Sequence, residues 1–370
     1  MRRHSLVIGL LALGAAGVTA CADQAVTGPS QGEEPSTAAP DLAVAGNTWI
    51  VRATMPQFRT GVAAATVTNA AGQSIVYAIG GRNPTWFNPQ ATVTAYNAAT
   101  NTWTVRQPLP VRLASTNGAA VINGKIYISG GCTDHQCNFP TDALYMYDPV
   151  RNTWTQKRSI PPDTTSGGPY GETRYAFGDG VTGVINDKLY VVSGCFEADA
   201  PWGYFESCDP LFYRYNPTTD KWVQLPGPFS VLGTDDWGPP FMGGVIDGKL
   251  YVMGGMHWSG QAWFAVYDPA TDRWTKLTTG FAYPRYGAAS AVVGAKLYVV
   301  GGSRYNAGTD GFDILAVTVR YDPTTGTWTR RADLPSPRAD MTASRVFLDG
   351  KARIELVGGS GTGNNLQYTP

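Results

Sequence analysis

The sequence predicts an all-β protein built from six copies of one four-stranded unit. The first indication is compositional: 15% charged residues, 44 glycines and 26 prolines in 370 residues, with no long stretch of helical apolar periodicity. The second is a repeated tryptophan, Trp49, Trp103, Trp154, Trp222, Trp274 and Trp328, at spacings of 54, 51, 68, 52 and 54 residues. A period near 50 marks a repeat architecture in which each unit buries its apolar face against its neighbours. The third is a tyrosine seven residues before the tryptophan at Tyr96, Tyr147, Tyr215, Tyr267 and Tyr321.

At the N-terminus, Arg2 and Arg3 precede an uncharged apolar run from Leu6 to about Val18, too short for a permanent span. It ends in Val18-Thr19-Ala20-Cys21, which resembles a bacterial lipobox; ordinary cleavage after Ala20 is the other way to read the same residues. The resemblance implies that residues 1–20 are an export signal and that Cys21 carries lipid, placing the protein in the cell envelope, outside the cytoplasm. Residues 21–46 are small, polar and proline-containing, the composition of a flexible tether. Loss of the leader removes two arginines and leaves 26 basic against 28 acidic residues. A body so balanced has no general attraction for nucleic acid, and its only expected tie to the membrane is the lipid.

From residue 47 onward each unit follows one plan. Strand one is made of small residues (Gly118-Ala119-Ala120-Val121, Ala288-Ala289-Ser290-Ala291), suited to crowding round a central channel. A tight hairpin follows at Asn123-Gly124, Asn186-Asp187, Asp247-Gly248 and Asp349-Gly350, pairs that tolerate positive φ. Strand two, such as Lys-Leu-Tyr-Val-Val at 188–192 and 296–300, is apolar on both faces and is expected between neighbouring units. Glycine doublets end it at 80–81, 130–131, 254–255, 301–302 and 358–359, where main chain and a neighbouring aromatic are expected to approach closely. Strand three ends at the tyrosine, and strand four begins at the tryptophan. The sixth unit has no tryptophan strand of its own, and Asn47–Arg52 is expected to supply it.

The recurrence of doublet, Tyr-Asp-Pro turn and tryptophan resembles the kelch family over residues 47–370, which implies a six-bladed kelch β-propeller closed by the strand around Trp49. Departures are confined to single turns: Cys195 for a second glycine, and Asn97-Ala98 and Asn216-Pro217 for Asp-Pro.

Beyond Cys21 four cysteines remain, and in an exported protein pairing within one loop, Cys132 with Cys137 and Cys195 with Cys208, is the expected choice among three connectivities. Strand direction sends the hairpins and Tyr-Asp-Pro turns to one face and the long, varied loops to the other, where binding is expected. Two residue sets mark that long-loop face. Arginines at the start of strand one, Arg59, Arg112, Arg174, Arg285 and Arg338, are expected to ring the channel mouth in a form suited to carboxylate or phosphate, or else to pair structurally. Blade four has Asp235-Asp236-Trp237 instead. The aromatic set comprises Trp86, Phe87, Phe196, Trp202, Tyr204, Phe205, Trp258, Trp263, Tyr305 and Phe312, with His257 beside Trp258. Such rings either cap gaps between blades or stack on sugar or peptide.

Neither cofactor nor metal is expected, although Cys132-x4-Cys137 with His135 between them is the rival, metal-site reading of the first cysteine pair. Kelch proteins similar to galactose oxidase use two histidines, two tyrosines and a cysteine for copper; here His135 and His257 alone outlast the leader. Residues Asn306–Asp313 only loosely resemble a calcium loop. The expected role is therefore a monomeric binding module for a glycan or a protein or peptide ligand. The alternative is a sugar-modifying enzyme resembling an exported sialic-acid mutarotase, with acid–base groups drawn from Glu172, Glu197 or Glu206.

Overall fold

The computed structural model describes residues 46–134, 141–162, 178–193, 196–200, 203–207, 211–228, 231, 241–254, 263–278, 285–306, 308–360 and 363–370. Six antiparallel four-stranded sheets form the blades of a propeller. Blade one is Ala63–Thr68, Ser74–Ile79, Val93–Asn97 and Thr102–Arg106. Blade two is Ala119–Ile122, Lys125–Ser129, Leu144–Asp148 and Thr153–Lys157. Blade three is Val181–Ile185, Lys188–Val192, Phe212–Asn216 and Lys221–Leu225. Blade four is Phe241–Ile246, Lys249–Gly254, Trp263–Asp268 and Arg273–Lys276. Blade five is Ala289–Val293, Lys296–Val300, Thr318–Asp322 and Thr327–Arg331. Blade six is Met341–Leu348, Lys351–Gly358 and Asn364–Thr369, and its outer strand is Thr48–Thr54 from the other end of the chain. The six first strands neighbour one another in an unbroken circle around the channel. Two extra hairpins, Phe196–Ala200 with Gly203–Ser207 and Ser303–Asn306 with Gly311–Ile314, stand on the long-loop side of blades three and five.

Each tyrosine and tryptophan face one another across the hairpin of strands three and four, which is why their spacing is constant. The register pairs are Tyr96 with Trp103, Tyr147 with Trp154, Tyr215 with Trp222, Tyr267 with Trp274 and Tyr321 with Trp328. Trp49 takes the same place opposite Tyr368. Ring centroids lie 4.8–5.3 Å apart in all six pairs.

The core is divided among the gaps between blades. In strand two of blade five, Leu297 and Val299 pack toward blade four, while Tyr298 and Val300 pack toward blade six. A strand sandwiched in this way must be apolar on both faces, as its sequence is. Among the described doublets the closest approach is by main chain and aliphatic side chains. A Cβ on Gly302 (φ +95°) would lie 2.6 Å from the Tyr286 carbonyl, and one on Gly359 (φ +92°) 2.7 Å from that of Ala339. Cys132 is buried; Cys137, Cys195 and Cys208 lie outside the described residues, so neither expected pairing is described.

One inter-blade gap carries a buried polar cluster beside its apolar one. Between blades six and one, Glu355, Asn365 and Gln367 are fully buried, Gln367 Nε2 donates to Glu355 Oε2 at 3.0 Å, and Arg353 Nη1 donates to Gln367 Oε1 at 3.2 Å. Burial pushes the Glu355 carboxyl from 4.5 up to about 8. The unfolded chain then gives up this proton first, so stability is full at acid pH and falls as pH rises from about 4.5 to about 8. Thermal melts from pH 5 to pH 9 should therefore fall more steeply for the native protein than for Glu355→Gln. A difference on the order of 1–3 kcal/mol is expected at the alkaline end; equal slopes would contradict the assignment.

Candidate functional site

The long-loop end of the channel opens into a cavity of about 540 Å³ lined by the entries to the first strands of all six blades. Its rim is a repeated backbone device. Gly61, Ser115, Asp179, Gly287 and Asp340 occupy equivalent places with φ of +58°, +50°, +52°, +56° and +56°. Main-chain bonds link these places from blade to blade: Gly61 N to Asp340 O (2.9 Å), Asp340 N to Gly287 O (2.7 Å), Asp179 N to Ser115 O (2.9 Å) and Phe241 N to Asp179 O (3.0 Å). Left-handed backbone suits glycine and is tolerated by aspartate. Three of these five places nevertheless carry a side chain, and all three side chains belong to residues that line the cavity.

Those side chains surround one guanidinium. Arg82 follows the glycine doublet of blade one, is fixed by main-chain bonds to Thr60 (2.7 and 3.1 Å), and donates through Nη2 to Ser115 Oγ at 3.2 Å. Asp179 is half-buried; burial raises its carboxyl, Arg82 and a hydrogen bond from Ser115 oppose the rise, and Asp340 adds to it. Asp340 reaches solvent at the rim, and it too is raised by desolvation and opposed by Arg82. Two carboxyls raised above the ordinary carboxylate range, beside a guanidinium in a concave site, can bind charge or exchange protons with a ligand. Phe87 and Tyr286 complete the walls. Phe87 sits at φ +53° in a turn closed by its own N–H to Asn83 O at 2.7 Å, and is 54% exposed beside Trp86 at 72%.

Of the two expectations for the arginines, structural pairing holds for three of them and a guanidinium ring at the mouth does not. Arg59, Arg285 and Arg338 are 1%, 1% and 2% exposed, and their guanidinium groups point into the blades. Arg59 donates to the carbonyls of Gly80 (2.6 Å) and Thr92 (2.7 Å) and to Thr94 Oγ1 (2.9 Å). Arg285 donates to Gly301 and Val317 O at 3.0 Å each, and Arg338 to Asn364 O at 2.6 Å. Each clamps the base of its own strand two–three loop. Desolvation lowers the Arg59 pKa to about 10, leaving it charged at neutral pH. Leu113, not Arg112, takes the matching place in blade two, since its carbonyl meets Gly81 N as that of Arg338 meets Gly302 N (2.8 Å each). Arg112 is one residue out of step and exposed.

Other expectations divide. Tyr305 is half-buried on the blade-five hairpin, pairs with Phe312 at 5.8 Å and donates to Asp310 Oδ1 at 2.7 Å, but does not line the cavity. Trp263 is 3% exposed and packs on Phe241, so it belongs to the core. The calcium-like segment is a hairpin whose Asp313 is held by Asn306 Nδ2 (3.1 Å) and Arg304 (3.4 Å). Arg174, Trp202, Asp235, Asp236, His257, Trp258, His135 and Glu172 lie outside the described residues. Glu197 and Glu206 are register partners in the blade-three hairpin. Arg82, Ser115, Asp179 and Asp340 escaped the sequence reading. A signal was available for one of them: Arg59-Thr60-Gly61 and Arg285-Tyr286-Gly287 recur as Arg338-Ala339-Asp340, an acid where the repeat has glycine.

Six four-stranded blades joined in this way define a propeller of repeated units. Kelch motifs match residues 115–160, 178–228, 243–280 and 284–335, together about half of the sequence, and the chain belongs to the kelch-repeat family. It is 26% identical over 253 residues to the Kelch-like protein terF of Aspergillus terreus, covering 66% of this chain and 50% of that protein. It is 29% identical over 174 residues to human Kelch repeat and BTB domain-containing protein 12, covering 45% of this chain and 25% of that one. The chain thus spans half or less of the length of these two relatives. The N-(sulfonatooxy)prop-2-enimidothioate sulfolyase of Thlaspi arvense is 25% identical over 321 residues, covering 77% of this chain and 84% of the enzyme. Among solved structures, that of YjhT shares the fold with a TM-score of 0.62 at 14% identity, covering 86% of this chain and 95% of YjhT.

The two classes of arginine should separate by melting. Arg59→Met removes a buried guanidinium that donates to the Gly80 and Thr92 carbonyls and to Thr94 Oγ1, and should cost about 3–5 kcal/mol, whereas exposed Arg112→Ala should stay within about 0.5 kcal/mol. Equal effects would contradict the clamp.

Proposed function

We propose that the protein is a cell-envelope binding module that takes a glycan or a protein or peptide ligand on the long-loop face, centred on the channel mouth. The observation that carries this is the cavity in which Arg82, Ser115, Asp179 and Asp340 converge from blades one, two, three and six beside Phe87, next to which Trp86 is exposed. Ligand sites are concave, with a few convergent polar groups and aromatic walls, and the mouth has that composition. Membership of the kelch-repeat family, whose propellers serve as binding scaffolds, supports a module of this kind. The leader of residues 1–20 before Cys21 supports a lipid-anchored, extracytoplasmic protein, in which Cys132–Cys137 and Cys195–Cys208 disulfides would stiffen two of the loops.

A second reading, a sugar-modifying enzyme of the mutarotase kind, is favoured by one observation: two carboxyls with raised pKa face a shared cavity. Similarity to a sulfolyase over most of the chain is compatible with it. Glycan and peptide arrays probed with the purified protein test both readings. Binding should fall about tenfold or more in Trp86→Ala and Phe87→Ala and persist in Val150→Ala, a 90% exposed residue after the third strand of blade two, on the short-turn face. Binding lost only through Val150 would put the site on the wrong face. Accelerated anomeric exchange of a bound sugar by proton NMR, abolished by Asp179→Asn, would establish the enzyme instead.

A further inference from the structure

We propose that the channel mouth is an anchor pocket for a basic side chain, an arginine or lysine of a protein partner docked on the long-loop face. The inference rests on the binding-module reading above and names the chemistry of its ligand.

Charge comes first. The ionisable side chains lining the cavity are one guanidinium, Arg82, and two carboxyls, Asp179 and Asp340, a formal surplus of one negative charge among the described residues. Arg82 is engaged with Ser115 and influences both acids, so a single cation is shared between two anions. Among the described residues, Arg59, Arg285 and Arg338 add no positive charge to the mouth, because they turn their guanidinium groups into the blades. An anionic ligand would therefore meet two carboxylates and one occupied guanidinium. A cationic one would complete the second ion pair in a site partly withdrawn from water, where such pairing is strengthened.

Walls and floor point the same way. Phe87 and Tyr286 line the cavity, and Tyr286 is fixed edge-on against Phe312 at 5.6 Å. Aromatic faces beside carboxylates suit the planar guanidinium or the ammonium of a side chain. Asn117, which also lines the cavity, is completely buried, and neither its amide nitrogen nor its amide oxygen has a partner. A buried amide left unsatisfied is costly, and a donor-rich head group entering the pocket could supply what its oxygen lacks after a small side-chain shift. Asp179 and Asp340 come from blades three and six, and desolvation together with the charge of Asp340 on Asp179 disfavours their ionised forms. An incoming cation relieves that repulsion, so the pocket favours such a ligand.

The test is selection of a random peptide library on the purified protein, with Asp340→Asn and Trp86→Ala proteins used in parallel. Enriched peptides should share an arginine or lysine, bind Asp340→Asn about tenfold or more weakly, and weaken as salt rises. Replacing the shared residue by neutral citrulline or norleucine should abolish binding. Enriched peptides without a basic residue, or with unchanged affinity for Asp340→Asn, overturn the anchor. If Trp86→Ala still weakens those peptides, the binding face itself stands. Failure to enrich any peptide overturns peptide binding and the anchor together. Unaltered melting of each variant confirms folding, and Asp179→Asn replaces Asp340→Asn should the latter unfold.

Discussion

The ring depends on one repeated contact, the hydrogen bond from an outer-strand indole to the preceding blade. Nε1 of Trp103, Trp154, Trp222 and Trp274 donates to the carbonyl of Ala53, Gln107, Arg158 and Pro226 at 2.7–3.0 Å. Trp49 does the same to Ala332 at 2.9 Å, so the N-terminal strand serves blade six as the internal strands serve their own blades. Each bond contributes only about 0.5–1.5 kcal/mol net. It is backed, however, by the stacked tyrosine, whose hydroxyl donates to an asparagine or aspartate: Tyr96 to Asn101, Tyr147 to Asn152, Tyr215 to Asp220 and Tyr267 to Asp272. In three of these pairs the acceptor oxygen also receives a main-chain N–H from the strand end before it, as Asn101 does from Ala53 at 2.8 Å. Asn47 repeats this arrangement with Tyr368 (2.6 Å) and Ala332 N (2.8 Å). The closing strand thus brings the full set of contacts.

This constraint explains which parts of the fold were legible. Tyr and Trp spacing, doublets and hairpin pairs are local, and a single strand register generates them. Even the double-sided strand two is legible, because sandwiching between blades demands apolar residues at successive positions such as Leu297 and Tyr298. The aspect that stayed hidden was side-chain direction. Nothing in Arg59 or Arg338 as letters says whether a guanidinium faces the channel or turns into its own blade, and in space it turns inward to carbonyls at the base of the strand two–three loop. Arg112 looked equivalent because it lies near the same strand; the carbonyl that meets the glycine doublet shows that Leu113 holds the place.

The site was the least legible part. Arg82, Asp179 and Asp340 are separated by roughly a hundred residues or more along the chain and meet only because the ring closes. Their placement follows from the scaffold all the same. The clamp residues fix the loop bases, the linked left-handed positions define the rim, and blades with a side chain in place of glycine there equip the mouth with chemistry. Scaffold and site are thus neighbouring positions of one repeat: Arg338 holds the blade while Asp340, two residues on, faces the channel.

Because five blades are shown to rely on the outer strand of the one before them, the closing strand is where the account is most exposed. The direct measurement is the thermal melt of the protein lacking residues 47–55, compared with the intact chain. Loss of Trp49, Asn47 and Arg52, which reaches Tyr96 Oη and Ala98 O in blade one at 2.9 and 2.7 Å, should lower the melting temperature sharply. An unchanged melt would show that the ring holds without its closing strand, and would contradict the account at its centre.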